Sequence, residues 1–378
     1  MTHNSIICDS LRKTIKNVLS DAEPFNITSM ESISHIENFI SSRSDVQHIW
    51  EKLSDIGVPG YSVSLSDGGY DLGESTVVIV CEEIGRVLFG YPFIASITVA
   101  DMLSQFDGQY NKTLALIAEG KVFSEWVHFS EQECDIEICQ SNKRVSSRAN
   151  AFICNFDQVN FLLIKIGDHI YRVPKDKSGL IVKKNKNIGG TNVYALYLRE
   201  LILSPDELIC NYLPNFDSIK ARLRLRQAAY LIGLSSGALT TTVKYVNIRK
   251  QFGKKLIDHQ AISFKLSALY AQLEAVKFKL HSIASMEERG MEILQCATNL
   301  LALASELALE ISRESLHLHG AYGMTKLSLI DKYYERIAFE GVRYGIPGDL
   351  WLESSKLKIK KEHVANMKKN EHVKRGYI

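Results

Sequence analysis

Three long segments with helical periodicity occupy the C-terminal part of the chain and constrain the fold most. They cover residues 218–251, 261–290 and 290–320, each about 30 residues long, and glycine and charged residues separate them. Helices of this length are typical of a four-helix bundle, because each can bury an apolar stripe against its neighbours. We therefore predict a bundle within residues 214–378, with an inner face that includes Ile262, Leu266, Leu269 and Leu273.

The two preceding parts of the chain have different periodicities. Residues 1–111 indicate helices, with one apolar face formed by Val46, Ile49, Trp50, Leu53 and Ile56. Residues 112–213 contain short runs such as TLALIA, WVHFS and AFICNF, which are rich in β-branched and aromatic residues. The predicted fold class is therefore α+β: an N-terminal α-helical domain, a central β-barrel or β-sandwich domain and a C-terminal four-helix bundle with a basic tail.

Composition and charge exclude several classes of protein. Lys and Arg number 45 against 43 Asp and Glu, so the net charge of +2 indicates no nucleic acid or other polyanionic partner. The seven cysteines are dispersed without a CxxC pair, which is typical of reduced thiols, and we predict no metal site. We also see no signal peptide or membrane-spanning run, and we expect a cytoplasmic protein. The basic tail after Lys356 is either a solvated terminus or a docking patch for an acidic partner.

Two glycine-containing motifs in the helical region have the chemistry of a nucleotide site. The first is RKQFG, in which Arg249 offers a bidentate donor to a pyrophosphate, although such a motif can also be a helix C-cap. The second is HLHGAYG, where Gly320 and Gly323 let the backbone approach a dinucleotide and present N–H groups to phosphate. Together, in this order on long helices, the motifs favour nucleotide binding.

These motifs resemble those of the acyl-CoA dehydrogenase family, whose patterns are R-x-x-F-G followed by D/E-x-Q-A-I, and Q-x-x-G-G-x-G. The N-terminal segment also matches the family marks W-x-x-L-x-x-x-G and G-G-x-x-L-G. The resemblance implies FAD in a cleft between the subunits of a homodimer or homotetramer. It further implies that one subunit contacts its neighbour's FAD through Arg249, Gln251, Phe252 and Gln260, and through the loop with His317, Gly320, Ala321 and Gly323. Here His317 replaces the family's loop glutamine and Ala321 its second glycine, so we expect weakened binding.

The family's catalytic base has no certain counterpart in this chain. Ungapped comparison with the family's Y-E-G-T motif places Tyr344 at the base, and tyrosine is a poor base because its reference pKa is near 10. A register shifted by one helical turn offers Glu340 instead, and both registers stay open. The family's alternative base position carries Leu223. The adjacent Arg224 matches a family arginine near the acyl site, or is one of several basic residues on an exposed helix face.

The β-domain also departs from the family pattern. The family's T-E-P strand end is replaced, in our comparison, by LALIAEG at residues 114–120. Its W-I-T/S strand is replaced by AFICN, with Phe152 for the tryptophan and Cys154 for the hydroxyl. A thiol is a weaker hydrogen-bond partner than a hydroxyl, so we expect FAD to bind with altered chemistry around the ring.

The resemblance therefore implies a FAD-dependent oxidoreductase that acts on an unusual acyl thioester. Divergent relatives in polyketide and nonribosomal-peptide biosynthesis oxidise α-amino- or α-hydroxyacyl groups held on an acyl carrier protein, and this is our expected function. One alternative is a catalytically silent subunit that assembles with a paralogous dehydrogenase subunit. A second alternative is a flavin-dependent monooxygenase on the same fold.

Overall fold

The N-terminal part of the protein is helical. The structure is a computed structural model that describes residues 3–22, 43–106, 108–139, 141–189, 191–325 and 328–360. Apolar residues at helical spacing face a common core, which explains why these segments form helices. The described residues of this part form five helices: α1 His3–Val18, α2 Arg43–Asp55, α3 Glu74–Arg86, α4 Phe93–Leu103 and α5 Asn111–Ala118.

Helix α5 corrects two predictions from the sequence. The run TLALIA was predicted to be a strand, yet Leu114, Ile117 and Ala118 are buried on one helical face. A short apolar run fits either period, and here the helical spacing of its largest side chains agrees with the tertiary packing. Since residues 114–118 are helical, the comparison of LALIAEG with a strand end is also wrong. The first strand begins at Ser124.

The central part of the chain forms three sheets around a shared apolar core. The sheet orders are β1-β5-β6-β10, β2-β3-β9 and β4-β8-β7, and only the β1–β5 pair is parallel among the pairings described. Each sheet keeps two edge strands, so the barrel alternative is wrong. The strands are β1 Ser124–Phe129, β2 Cys134–Cys139, β3 Asn142–Ser147, β4 Ala151–Cys154, β5 Phe161–Ile166, β6 His169–Pro174, β7 Leu180–Ile188, β8 Thr191–Leu198, β9 Leu201–Leu203 and β10 Leu208–Cys210.

The C-terminal part is the predicted bundle of long helices. Its inner face buries Leu266, Leu269 and Leu273 and partly buries Ile262. A short hairpin of β11 Lys250–Gln251 and β12 Lys254–Lys255 connects the first two helices. The helices are α6 Phe216–Ile248, α7 Gln260–Glu288, α8 Leu294–His319, α9 Leu329–Glu340 and α10 over residues 347–360.

Helix α6 holds the N-terminal helices against the bundle. Its Arg226 is fully buried and donates to both carboxylate oxygens of Glu74 at 2.8 Å and to Asp101 at 2.6 Å. These carboxylates belong to α3 and α4, so one guanidinium connects three helices. Gly233 lets α6 pack closely against α3, since a Cβ at this position would collide with the backbone carbonyl of Glu82.

The sequence also led to expectations about membrane-spanning helices, metal sites, cysteines and the basic tail. None of the helices in the described ranges combines the length and apolar character needed to cross a bilayer. Within those ranges, no group of three or more His, Cys, Asp or Glu side chains could hold a metal ion, and six cysteines are free thiols. The greater part of the basic tail, residues 361–378, lies outside the described residues.

Candidate functional site

Five elements enclose a cavity of about 390 Å³, which we call the front cavity. Strands β1, β4 and β5 form one side, and helix α6 and the turn after α9 form the other. Its volume is in the range of small-molecule and cofactor pockets. The lining residues are Glu125, Trp126, Val127, His128, Ala151, Phe152, Lys165, Phe216, Lys220, Leu223, Arg224, Arg343 and Tyr344.

A second, much smaller space of about 20 Å³ lies deeper among the helices, and we call it the inner cavity. This volume accommodates about one water molecule. Polar groups form much of its wall. Its lining includes Gly90, Tyr91, Ala95, Cys154, Asn155, Thr191, Gln227, Tyr230, Arg336, Glu340 and Arg343.

Arg343 lines both cavities and pairs with a carboxylate from each of their walls. Its guanidinium donates to Glu125 at 2.6 Å and to Glu340 at 3.4 Å. It also lies 5.0 Å from the centre of the Tyr344 ring. The carboxylates come from β1 and the end of α9, so this one side chain joins the β-domain to the bundle at the site.

Glu125 is a charged residue in an otherwise largely buried strand. Its side chain is 2% exposed, and one carboxylate oxygen accepts from the backbone N–H of Trp126 at 3.3 Å. Burial raises the pKa of Glu125 above its usual value, and the neighbouring Arg343 opposes that rise. A carboxylate with a raised pKa, at the wall of a cavity, is a typical acid–base group.

The two candidates for the catalytic base, Glu340 and Tyr344, both lie at the site, but each lines a different cavity. Glu340 is buried on the inner cavity, where its carboxylate accepts from the side-chain amide of Gln227 at 3.0 Å. Tyr344 lines the front cavity, and burial raises the pKa of its hydroxyl well above the usual value. Its phenol therefore stays protonated near neutral pH and is not a base. Leu223, the other family base position, also lines the front cavity.

Arg224 lines the front cavity, but its charge is already paired. Its guanidinium donates to both carboxylate oxygens of Glu353 on α10, at 3.0 and 2.7 Å, and to Thr298 at 2.7 Å. Lys220 donates to the same carboxylate at 2.7 Å. Burial alone would raise the pKa of Glu353, but the hydrogen bonds from Arg224 and Lys220 lower it to about 2. This clamp fixes one wall of the cavity.

The Glu353 clamp predicts a pH-dependent contribution to stability. Because the folded pKa is depressed, the contribution is present above the unfolded glutamate value of about 4.3 and is lost as pH falls toward about 2. The side chain is 32% exposed, so solvent screening limits the contribution to about 1 kcal/mol. Glu353→Gln should lower the free energy of unfolding by this amount at pH 7 and by about half as much at pH 3, measured by urea denaturation. Asp349→Asn, an exposed carboxylate on the same helix, should not reproduce the change.

The front cavity has polar atoms and an aromatic surface that fit a flavin ring. Two buried atoms on its wall, Nε1 of Trp126 and the hydroxyl of Tyr344, have no hydrogen-bond partner among the described residues. Phe152 is 54% exposed there and offers an apolar face. Burial and the charge of Lys165 lower the pKa of His128, so its imidazole is neutral and can donate or accept. Unpartnered donors beside an exposed aromatic ring suit a planar heteroaromatic ligand.

Cys154 does not lie on the front cavity with Phe152. It is buried at the inner cavity, where burial raises the pKa of its thiol to about 12 and keeps it protonated. Strand β4 therefore presents its two predicted site residues to neighbouring cavities.

The predicted residues of the RKQFG region lie away from both cavities. Arg249, Gln251, Phe252 and Gln260 are exposed, and Phe252 is 90% exposed at the tip of the β11–β12 hairpin. Phe252 has a φ of 54°, which is uncommon for a bulky residue. An apolar side chain held in this position is poorly explained by contacts within the chain, and it is well placed to contact another molecule.

The second motif continues α8 into a turn. His317, Gly320 and Ala321 are exposed, Gly323 is buried, and Gly320 has a positive φ of 61° that suits glycine. None of the four lines the front or inner cavity. The structure thus separates the predicted cofactor residues into two largely exposed motifs, the front cavity with Phe152 and the inner cavity with Cys154.

Sequence motifs alone did not point to Glu125, Arg343 or Gln227. The available signal was weak: Glu125 is a lone carboxylate in a strand, and Arg343 is adjacent to the open position Tyr344. Their importance depends on an ion pair between residues 218 positions apart. Such a pairing is visible only once β1 and the turn after α9 are placed together.

Comparison with known proteins agrees with this geometry. Residues 221–342 match the family model described as acyl-CoA dehydrogenase, C-terminal domain. The caffeyl-CoA reductase-Etf complex subunit CarC of Acetobacterium woodii is 35% identical over 111 residues, which is 29% of each chain. The probable acyl-CoA dehydrogenase FadE25 of Mycobacterium tuberculosis is 25% identical over 304 residues, covering 72% of this chain and 77% of that one.

A solved structure extends the likeness over the whole fold. The prolyl acyl carrier protein oxidase AnaB superposes with a TM-score of 0.74 at 18% identity, covering 92% of this chain and 98% of AnaB. The helical domain, the β-domain and the bundle therefore occur in the order known for this fold. Residues 221–342 therefore match the C-terminal domain of acyl-CoA dehydrogenases, and the chain has the acyl-CoA dehydrogenase fold.

Proposed function

We propose that this protein catalyses the FAD-dependent oxidation of a short α-hydroxy- or α-aminoacyl group that is held as a thioester on an acyl carrier protein. The observation that carries the proposal is the inner cavity, which is small and polar. The front cavity, in contrast, is large enough for a cofactor ring and the thioester end of a substrate.

The inner cavity selects against a long acyl chain. Its volume of about 20 Å³ leaves room for a group of the size of one water molecule. Three buried polar atoms on its wall lack a partner among the described residues: Oε1 of Gln227, Oγ1 of Thr191 and Nε of Arg336. A hydroxyl or amino substituent can satisfy such atoms, whereas an alkyl chain would leave them unpaired at a cost of about 1–3 kcal/mol each.

The residues of the front cavity would hold the flavin ring, with Trp126 and Tyr344 as hydrogen-bond partners and Phe152 as an apolar surface. When bound, FAD supplies a two-electron acceptor. The chain's own contribution is to orient the acyl group, exclude water and bind the proton that oxidation releases. Lys165 and Lys220 make the front cavity basic, which suits the phosphate of a carrier-bound pantetheine arm. AnaB, with the same fold, acts on a prolyl group on an acyl carrier protein.

The direct test is anaerobic bleaching of the visible flavin band of the purified holoprotein. Lactoyl and alanyl groups would be presented on an acyl carrier protein, and butyryl on the same carrier would serve as the matched apolar substrate. We expect faster bleaching with lactoyl or alanyl than with butyryl, and faster bleaching with the carrier than with the corresponding CoA thioester. Equal or faster bleaching by butyryl, or by CoA thioesters, would contradict the proposal.

The exposed RKQFG hairpin leads to a prediction about the affinity of the protein for FAD. Arg249→Ala removes a side chain that would donate to the cofactor's pyrophosphate from a neighbouring subunit. Loss of a hydrogen bond to a charged group costs about 1.5–3 kcal/mol, so the FAD dissociation constant should rise at least about tenfold. Equilibrium dialysis measures this change, and thermal unfolding of the apoprotein should not change because Arg249 is exposed. Arg289→Ala, an exposed arginine at the end of α7, is the control.

The same hairpin supports a second candidate function, that of a subunit which completes a partner's flavin site. Phe252 and Arg249 are exposed and available to another chain. This function predicts that the chain purified alone holds little FAD and gains it on co-purification with a paralogous dehydrogenase. About one FAD per chain in the protein expressed alone would argue against it.

A further inference from the structure

We propose that Glu125 is the proton acceptor of this site and that Arg343 is the residue that positions it. The inference rests on the proposed function, since it assigns the group that binds the proton released in that reaction. It places the base on strand β1, far in sequence from the two family base positions, Leu223 and Tyr344.

The first step is the location of the missing base. Leu223 and Tyr344 occupy the two family base positions, and both line the front cavity. Neither can accept a proton near neutral pH, because leucine has no ionisable group and the buried phenol stays protonated. A working base must therefore reach the front cavity from another element.

The second step is the choice among carboxylates. Among the described residues that line the front cavity, Glu125 is the sole carboxylate. Glu340 faces the inner cavity, where Gln227 donates to its side chain and to its backbone carbonyl. Because Arg343 lines both cavities, the Glu125 carboxylate that it holds lies where the front cavity meets the inner cavity that receives the α-substituent, whereas the carboxylate of Glu340 is already hydrogen-bonded to Gln227.

The third step is the means by which Glu125 is held. Arg343 immediately precedes Tyr344 in the chain and donates to Glu125 at 2.6 Å. The guanidinium therefore holds the Glu125 carboxylate beside Tyr344, the residue at the family's base position. A charge-assisted hydrogen bond to one oxygen fixes the side chain, and the other oxygen receives only a long contact of 3.3 Å from the N–H of Trp126. That second oxygen is available to a substrate proton.

The groups around Glu125 are consistent with this role. Arg343, Glu340, Tyr344 and Trp126 surround its carboxylate, and the net effect of burial and these charges is a raised pKa. In the reaction, an O–H or N–H bond of the acyl group breaks and its proton passes to Glu125. The electron pair would form the new C=O or C=N bond, and FAD, when bound, would supply the acceptor for the hydride that leaves Cα.

The test uses a probe that loses a proton without being oxidised, acetoacetyl-pantetheine. The C–H bond between its carbonyls breaks, the proton passes to the base, and the electron pair remains as an enolate with its own ultraviolet absorption. We expect the holoprotein to ionise the bound probe at a lower pH than that at which it ionises in free solution. Glu125→Gln keeps an acceptor for Arg343 but should reduce the enolate fraction at pH 7 about tenfold or more.

Three further variants make the assignment specific. Glu125→Asp should restore part of the ionisation, Arg343→Lys should shift the pH of half-ionisation upward, and Glu137→Gln, an exposed carboxylate on β2, is the matched control. The inference is overturned if wild type fails to ionise the probe, if Glu125→Gln ionises it normally, or if Glu340→Gln alone abolishes ionisation. The probe is not oxidised, so this test is independent of the bleaching experiment. If wild type ionises the probe and Glu125→Gln does not, but lactoyl and alanyl carriers fail to bleach the flavin band, the proposed function is overturned and the assignment of Glu125 stands.

Discussion

Replacing Arg226 by methionine should lower the free energy of unfolding by about 3–5 kcal/mol, because it leaves the buried Glu74 carboxylate without the Arg226 counter-ion and leaves Asp101 with the longer contact to Arg222 at 3.6 Å. Burial alone would lower the pKa of Arg226, but Asp101 and Glu74 raise it above the usual value, so the guanidinium is charged in the folded protein. Glu74 and Asp101 are 3% and 5% exposed and have no access to bulk water that could replace it. Chemical denaturation with circular dichroism measures the loss.

A neighbouring arginine provides the matched control for this prediction. Arg222 lies one turn earlier on α6, is 23% exposed and approaches Asp101 at 3.6 Å. Arg222→Met should therefore cost about 1 kcal/mol or less. Adding Glu74→Gln and Asp101→Asn to Arg226→Met should recover part of the loss, since it removes the unpaired charges. If Arg226→Met and Arg222→Met lower the free energy of unfolding equally, burial of the Arg226 ion pairs is not the cause of the loss.

The long helices were predictable because their signal is local. Each extends over many turns, and the apolar residues repeat at the helical period throughout, as Leu266, Leu269 and Leu273 show. The turn at RKQFG could be located for a similar reason, since a glycine after a helix end marks a turn within a few residues, whereas its cofactor role stays a prediction. Short segments lack this redundancy. TLALIA has only six residues, and its apolar content fits a strand as well as the helix that it forms.

The centre of the site was not predictable, because it is defined by contacts between distant segments. Helix α9 ends at Glu340, and the turn that follows places Tyr344 on the front cavity, Glu340 on the inner cavity and Arg343 on both. The two registers considered for the base therefore describe two walls of the same site. No spacing rule connects either wall with Glu125, which reaches them only through the tertiary ion pair with Arg343.

Replacing Arg343 by methionine should destabilise the protein and make its stability strongly dependent on pH. Burial raises the pKa of Glu125 even beside Arg343, so the folded chain holds this proton more tightly than the unfolded chain does. Such a group favours folding while protonated, and its contribution is lost as pH rises above the unfolded value of about 4.3. Removing the guanidinium raises the folded pKa further. We expect a loss of about 3–5 kcal/mol at pH 8 and a clearly smaller loss at pH 5.

Urea denaturation of wild type and variant at both pH values measures this difference. The double variant Arg343→Met, Glu125→Gln should regain stability at pH 8, because it no longer buries an unpaired carboxylate. Its pH dependence should return toward that of wild type. If the single variant loses the same free energy at both pH values, Arg343 stabilises the protein through packing rather than charge. If instead the double variant recovers nothing, the carboxylate that depends on Arg343 is Glu340, and the base assigned to β1 would lack its positioning residue.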